Sequence, residues 1–431
     1  MKKLTKPFWF SLVLFSLVGQ IAWVVENMYL NVFIYKMFNA SAESISAMVS
    51  ASAVAATVTT VLIGALSDKL GKRKLFISGG YILWGISILC FILIRTDIIG
   101  ALFPSVVSAA SVGVSLVIAL DVIMTFFGSS ANDAAFNAWL TDSTDVTNRG
   151  SAEGINAMMP LVAILAVFGG FMFFDLDKSE SWTYIFAIIG GVVIIIGILG
   201  CFIIKEPEIE PSKDGYFRTV VHGFLPSTVK GNAKLYIALL LFIVFNISIQ
   251  IFMPYLILYY EVSLTMSDYV LIMAPAIILA SVATAFWGKV YDKKGFDFSA
   301  WFSIGWLALG YVVLFIFRST VPVFIGSLFM MCGYLSGMAV FGARIRDLTP
   351  VGCAGKFQGV RIFSQVLVPG VVGPFIGKTV LANAEKIVNN DGTTSFVPSA
   401  DIFLWALIVL AVLGVALLTA ELLKKREKGN K

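Results

Sequence analysis

Apolar stretches long enough to cross a lipid bilayer, about 20 residues each, recur along the whole of this 431-residue chain. They fall at 8–35, 43–66, 75–94, 106–140, 153–174, 182–204, 234–260, 268–290, 298–317, 321–343, 357–381 and 400–423, twelve in all. The fourth is too long for one upright helix, and an interfacial segment is expected at its start, around Pro104. Hydrophobic residues make up 58% of the chain and charged residues 13%, about half the charged share of a soluble domain. A water-soluble fold has no means of hiding so much apolar surface. Inside hydrocarbon the backbone must satisfy itself, and segments of this length do so as helices. The expected fold class is therefore an all-α membrane protein.

Basic residues orient the spans. With both termini in the cytoplasm, 25 of the 31 Lys and Arg residues lie inside, and only Lys36, Arg95, Lys178, Arg318, Lys378 and Lys386 lie outside. This is the positive-inside signature. It accounts for the net charge of +5 without a nucleic-acid partner. Lys2, Lys3 and Lys6 precede the first apolar run as in a signal peptide. That run continues past Trp23 and Asn31 with no small-x-small cleavage pattern, so it reads as a retained first span.

Other chemistry is poorly supported. Cys90, Cys201, Cys332 and Cys353 match no metal or disulfide spacing and read as buried small hydrophobes. The sole histidine, His222, falls in a loop, which argues against histidine catalysis or proton relay. There is no G-x-x-x-x-G-K-S/T phosphate loop for ATP-driven pumping. No nucleophile or metal constellation points to an enzyme, and no cofactor is expected.

An internal repeat carries the most information. The first half contains Gly64-Ala-Leu-Ser-Asp68-Lys69-Leu-Gly71, and the second Gly288-Lys-Val-Tyr-Asp292-Lys293-Lys-Gly295. Both read G-x-x-x-D-K-x-G between the second and third spans of their half. A second pair matches without a gap: Asp142-Ser-Thr144 with Gly150 and Gly154, and Asp347-Leu-Thr349 with Gly355 and Gly359. Two motifs repeated in the same order argue for duplicated six-span halves related by an axis along the membrane normal. The expected division is a bundle at 1–204, a cytoplasmic linker at 205–233 and a second bundle at 234–431.

With these motifs the chain resembles the major facilitator superfamily over essentially its full length. The stretch from Gly64 to Lys74, which includes Arg73, looks like that superfamily's hallmark loop. The resemblance implies a substrate site between parallel repeats near the midplane. It also implies a cytoplasmic gate in which Asp68 pairs with basic loop residues and helix ends. Against this stands a static turn fastened by solvated charges. A narrower resemblance rests on Asn132-Asp133, Trp139-Leu-Thr-Asp142, Arg149-Gly150 and Arg346-Asp347-Leu-Thr349-Pro350. These phrases look like the glycoside–pentoside–hexuronide:cation symporters and their sucrose–proton relatives. Asp292, Asp347 and Arg361 complete the expected gate set. Arg344, Arg346, Lys356 and Arg361 read equally well as positive-inside residues that meet lipid phosphates.

Ionisable groups inside hydrocarbon are functional candidates by default. In the first span Gln20, Trp23, Asn27 and Asn31 form one stripe with Glu26 beside it. Counting from Lys36, Glu26 lies roughly 15 Å deep. Gapless alignment of the two hallmark loops superposes Glu26 on Gln250 and Tyr35 on Tyr259. Glu26, Trp23, Asn27, Asn31, Gln250, Asn246, Tyr255 and Tyr259 are thus the expected solute contacts, since carboxylates, carboxamides and aromatic faces suit a sugar. The alternatives are a Glu26 at the external helix end and a Gln250 in a helix–helix hydrogen bond. In the fourth span the same register puts Asp133 near the midplane and Asp121 near the outer interface. Asp133 with Asn132, and Glu26, are the expected coupling residues; a structural bond of Asp133 with Asn137 is the alternative. The second span, 42–66, lacks the interior carboxylates of the sodium-coupled relatives, and the eleventh lacks their central lysine, which favours proton over sodium coupling.

The resemblance therefore implies a monomeric plasma-membrane symporter for a glycoside or other small polar solute. An exporter of drugs or metabolites on the same architecture is a second reading, and a non-transporting sensor or scaffold a third. The polar stripe favours a hydrophilic solute, and the paired gate motifs argue against a static scaffold. Sequence leaves solute, direction and oligomeric state open.

Overall fold

The computed structural model of the chain describes residues 4–102, 109–144, 148–206, 221–266, 268–350, 354–388 and 394–429. Among these, 11 helices are long and apolar enough to cross a membrane. One of them, Tyr269–Ile316, is two helices joined at Gly295, whose φ of 78° and ψ of −176° are not helical. With that helix divided, the expected twelve spans are present, and the protein is a multi-pass, all-α membrane protein.

The chain separates into two compact units, Met1–His222 and Gly223–Lys431. In the first, α1 is Lys6–Phe38, α2 Ala42–Leu70, α3 Arg73–Leu93, α4 Ala109–Ser143, α5 Arg149–Phe171 and α6 Ser179–Ile203. In the second, α7 is Ala233–Ser263, α8 covers 269–294, α9 296–316, α10 Thr320–Leu348, α11 354–380 and α12 Asp401–Gly429. Within the first unit α1 packs on α5, α2 on α4 and α3 on α6. The second unit repeats these pairings as α7 on α11, α8 on α10 and α9 on α12. Duplication read from two loop motifs thus extends to the packing.

Local chemistry sets the helix ends. Ser41 caps α2, its hydroxyl accepting from the Ser44 amide at 3.2 Å, with Glu43 in the first turn where the helix dipole favours an acid. Gly71 ends α2 in the left-handed region at φ 62°. The last glycine of each G-x-x-x-D-K-x-G copy, Gly71 and Gly295, therefore has positive φ. A side chain at either would strain the backbone, so the motif fixes how the chain leaves its helix.

Four helices contain turns wound more widely than an α-helix: Val25–Tyr29, Ser129–Phe136, Tyr259–Ser263 and Phe363–Leu367. Such turns recur at functional sites. The first holds Glu26 and the second Asn132 and Asp133. Helix α7 is also interrupted just after Gln250, passing through a 3-10 turn at Met253–Tyr255.

Some expectations need correction. Cys201 is exposed, because an α6 face turned away from its neighbours accepts a small apolar thiol as readily as the interior does. His222 lies in the connection between α6 and α7, as expected, where it opens a 3-10 turn, His222–Phe224. Pro104 and Cys353 lie outside the described residues, while a short helix, Thr96–Leu102, precedes α4. A hairpin of β1, Lys386–Val388, and β2, Thr394–Phe396, joins α11 to α12 and left no signal in hydropathy.

Candidate functional site

Two of the expected gate residues of the first unit, Asp68 and Asp142, converge on one guanidinium. Arg73, first residue of α3, is buried, and three of its five N–H groups are satisfied. Nη2 meets Asp68 Oδ1 at 2.5 Å, Nε meets Asp142 Oδ2 at 2.9 Å, and Nη1 donates to Ser67 Oγ at 2.5 Å. Asp68 and Ser67 come from the last turn of α2, and Asp142 from the end of α4, so the arginine ties three helices. The start of α3 has no cap from its own preceding residue. Glu206, just beyond α6, supplies one, accepting from the amides of Arg73 and Lys74, the latter at 3.2 Å. Its charge sits at the positive end of the α3 dipole. Trp139 of α4 donates to the Lys205 carbonyl at 3.0 Å beside it. Ser67 and Glu206 were missed in the sequence reading. Ser67 adjoins Asp68, but Glu206 lies 133 residues from Arg73 and carried no local signal.

The second unit does not reproduce this latch. Carrying the hallmark loop forward places Tyr291 at the position of Ser67 and Asp297 at that of Arg73. The acid is retained and its donor replaced: Tyr291 donates to Asp347 Oδ2 at 2.6 Å. Asp292 is exposed and is not drawn into this contact. Arg344 lies over the Phe296 ring at 5.3 Å. Arg361 stands in α11 two residues before its wide turn begins. Arg149 opens α5, and its side chain is not among the described ones.

Within the spans of the first unit, polar groups form two clusters. In one, the Thr125 hydroxyl donates to Glu26 Oε1 at 2.7 Å, and one turn along α4 the Ser52 hydroxyl donates to Asp121 Oδ2. Glu26 and Asp121 are 5% and 2% exposed. Glu26 Oε2 and Asp121 Oδ1 have no hydrogen-bond partner among the described residues. Asp121, which helix register puts near the outer interface, is packed within the unit at that depth. In the other cluster, Ser129 donates to Asp133 Oδ2 at 3.0 Å. Tyr81 donates to the Phe15 carbonyl at 2.7 Å and approaches Asn132 Oδ1 at 3.1 Å. Asn137 donates to the backbone carbonyl of Asp133 at 3.1 Å, so the Asp133–Asn137 contact is to main chain.

The stripe of α1 splits. Glu26 turns inward to α4 whereas Asn27 is exposed and donates to the Trp23 carbonyl at 2.8 Å. Asn31 is buried and donates to the Asn27 carbonyl at 2.9 Å, leaving its own Oδ1 unpartnered among the described residues. Trp23 rests against Trp84 at 5.0 Å between ring centres. In the second unit Asn246 is buried and donates to the Phe242 carbonyl at 2.8 Å. Tyr255 and Tyr259 are buried as well. Tyr259 donates to the Leu314 carbonyl at 3.2 Å, and Tyr255 meets the edge of Phe396 from the hairpin. Gln250 is half-buried against Gly373 of α11. Among the described residues no group of three or more His, Cys, Asp or Glu is placed to hold a metal ion.

The profile of the Major Facilitator Superfamily matches residues 8–374. The search of curated proteins finds no match. Many solved structures share the fold. A variant of the nucleoside transporter NupG is 13% identical, covering 95% of this chain and 98% of that one, with a TM-score of 0.71. A bacterial homologue of the human lysosomal transporter Spinster, inward-facing and unoccupied, is 14% identical over 97% and 98%, with a TM-score of 0.70. The xylose transporter XylE from E. coli, partially occluded and inward open, is 14% identical over 94% and 97%, with a TM-score of 0.68.

Proposed function

The chain belongs to the Major Facilitator Superfamily and is a transporter, not an enzyme, and from that premise we propose that it imports a glycoside or another small polar solute together with protons by alternating access. The observation that carries this reading is a charge imbalance. Glu26, Asp121 and Asp133 lie in the interior of the first unit, while every Lys and Arg of α1–α6 stands at a helix end. Buried carboxylates without basic partners call for a cation to offset them, and such groups in transporters mark ion pathways. The similar structures include a D-xylose–proton symporter and the nucleoside transporter, which supports a polar solute and a proton as cargo.

In this reading Asp133, steadied by Ser129 beside Asn132, and Glu26 carry the coupling proton. Trp23, Asn27 and Asn31 of α1 and Gln250, Asn246, Tyr255 and Tyr259 of α7 bind the solute. The Arg73 latch is the cytoplasmic gate, and both termini lie in the cytoplasm of a plasma-membrane monomer. The narrower kinship is with the glycoside–pentoside–hexuronide:cation symporters, with protons in place of sodium.

Uptake of radiolabelled glycosides into proteoliposomes tests this under an inward proton gradient and then an inward sodium gradient. Proton-driven accumulation that is lost in Asp133→Asn or Glu26→Gln is the expected result. Accumulation driven by sodium alone overturns the ion, and none under either gradient overturns glycoside import.

A further inference from the structure

Asp121 has no role in the mechanism above, yet it is among the most deeply buried ionisable groups of the first unit. Its surroundings mirror those of Glu26. Each carboxylate has one oxygen held by a hydroxyl, Ser52 for Asp121 and Thr125 for Glu26, and a second oxygen without a partner among the described residues. Asp121 and Thr125 are four residues apart on α4 and so share a face, one turn of roughly 6 Å from each other. Thr125 therefore sets Glu26 about one helical turn from Asp121, near enough for their charges to repel.

The Glu26 side of this pair is open to a small guest. A cavity of about 10 Å³, room for roughly one water, lies against Glu26. Its other walls, including Ala22, Leu30, Ile88, Met124 and Phe186, are apolar, so Glu26 is its sole polar wall. Among the described residues the further titratable group that acts on the pair is Asp133, further along α4, with Tyr81 of α3 acting in turn on Asp133. Lys36 at the end of α1 is engaged by Asp177 at 3.1 Å, and Arg95 beyond α3 by Asp97 at 3.1 Å. The charge that offsets the pair must therefore be brought by a guest, and the space and donor set suit the smallest one.

We propose that Asp121 and Glu26 form one proton-binding unit, in which Ser52 and Thr125 each hold one carboxylate oxygen and a proton taken up by one acid lowers the affinity of the other for a second. The proposal rests on the proton-coupled reading and adds to it a second acid, distinct from Asp133. This coupling follows from like charges buried a turn apart, which do not ionise independently.

Infrared titration of the purified protein in liposomes, following the protonated-carboxyl band with pH, tests this without knowledge of the solute. Wild type is compared with Glu26→Gln, Asp121→Asn and the double variant. Removing either acid should change the proton affinity of the other by about tenfold or more, so that the double variant is not the sum of the singles. Independent, additive titrations overturn the unit. Ser52→Ala and Thr125→Val keep both acids and remove only the donors. Each should move the titration of both carboxyls, and an unchanged titration in both variants also overturns it. Loss of the acid band at fixed pH when sodium replaces potassium would overturn the proton as guest. Additive titrations with proton-driven uptake intact would remove the pair and leave the transport reading standing. Non-additive titrations without such uptake would do the reverse.

Discussion

Replacing Arg73 with glutamine removes a buried cation from between two carboxylates, and the structure bounds the effect. Breaking a fully buried ion pair by deleting one partner costs about 3–5 kcal/mol. Asp68 and Asp142 are not fully buried: their side chains are 44% and 26% exposed, so water recovers part of the loss. Fully exposed pairs contribute only about 0–1 kcal/mol. The expected penalty lies between these limits, at about 2 kcal/mol, roughly thirtyfold in the equilibrium between latched and unlatched states. The assay is thermal unfolding in detergent of wild type, Arg73→Gln, Asp142→Asn and the double variant. Because Asp142 bonds the arginine through Nε at 2.9 Å, the cycle should return a coupling of about 0.5–3 kcal/mol. Additivity within about 0.5 kcal/mol would refute the latch as an energetic unit. In transport, Asp68→Asn should keep solute binding and lower turnover, because only the latched state loses a contact. Equal loss of binding and turnover would refute that.

Other outcomes follow from the geometry. Gly71→Ala should destabilise by about 1 kcal/mol, the strain of an ordinary residue in the left-handed region. Gly295→Ala should cost more, about 1–3 kcal/mol, because φ 78° with ψ −176° is tolerated essentially by glycine alone; thermal midpoints in the reverse order would contradict this. A Cβ at Gly19 would stand 2.5 Å from Tyr81 Oη and 2.6 Å from Asn132 Oδ1. Gly19→Ala should therefore part Tyr81 from Asn132 and destabilise by about 1–3 kcal/mol, and an unshifted midpoint would show that α1 yields freely. Outside the spans, a hydrogen bond from Arg95 holds the Asp97 carboxyl below the usual carboxylate range. The pair's contribution is present above the ordinary carboxylate value and fades as pH falls through the lowered one. Since Asp97 is fully exposed, Asp97→Asn should leave the melting midpoint at neutral pH unchanged; a fall of several degrees would count against this.

What was legible in the sequence was whatever is periodic or repeated. Span lengths follow from hydropathy because the bilayer rewards nothing else, and Gly71 and Gly295 could be found because the motif occurs twice. Asp68, Arg73 and Asp142 were expected together because the resemblance of the hallmark loop and the Asp142 motif implies a common gate, although 69 residues separate Arg73 from Asp142. Glu206 could not, since its partners are backbone amides far away in sequence. The packing of Asp121 against Ser52 was not legible, because counting residues along an ideal helix measures depth and says nothing of sideways contacts. The stripe on α1 was drawn at a uniform turn, whereas Val25–Tyr29 is wound more widely, and within the stripe Asn27 is exposed while Asn31 is buried. The hairpin at 386–396 is too short and too polar to register beside spans of this hydropathy.

The duplication itself tests whether the interior acids belong to the scaffold. Carried by the hallmark loops, Glu26 falls on Gln250; carried by the Asp142 and Asp347 motifs, Asp121 falls on Gly326 and Asp133 on Met338. The second unit packs the same helix pairs and turns its hallmark loop at the same glycine, with none of these carboxylates. At one of the three positions the space is taken by apolar contact, since Gly326 brings α10 against Leu314 of α9. A fold that assembles equally well from glutamine, glycine and methionine does not require two aspartates and a glutamate in its other copy. Buried charge without a partner is destabilising wherever it occurs. The presence of these three acids in the first unit, and not at the matching positions of the second, is what the proposed proton coupling requires of them.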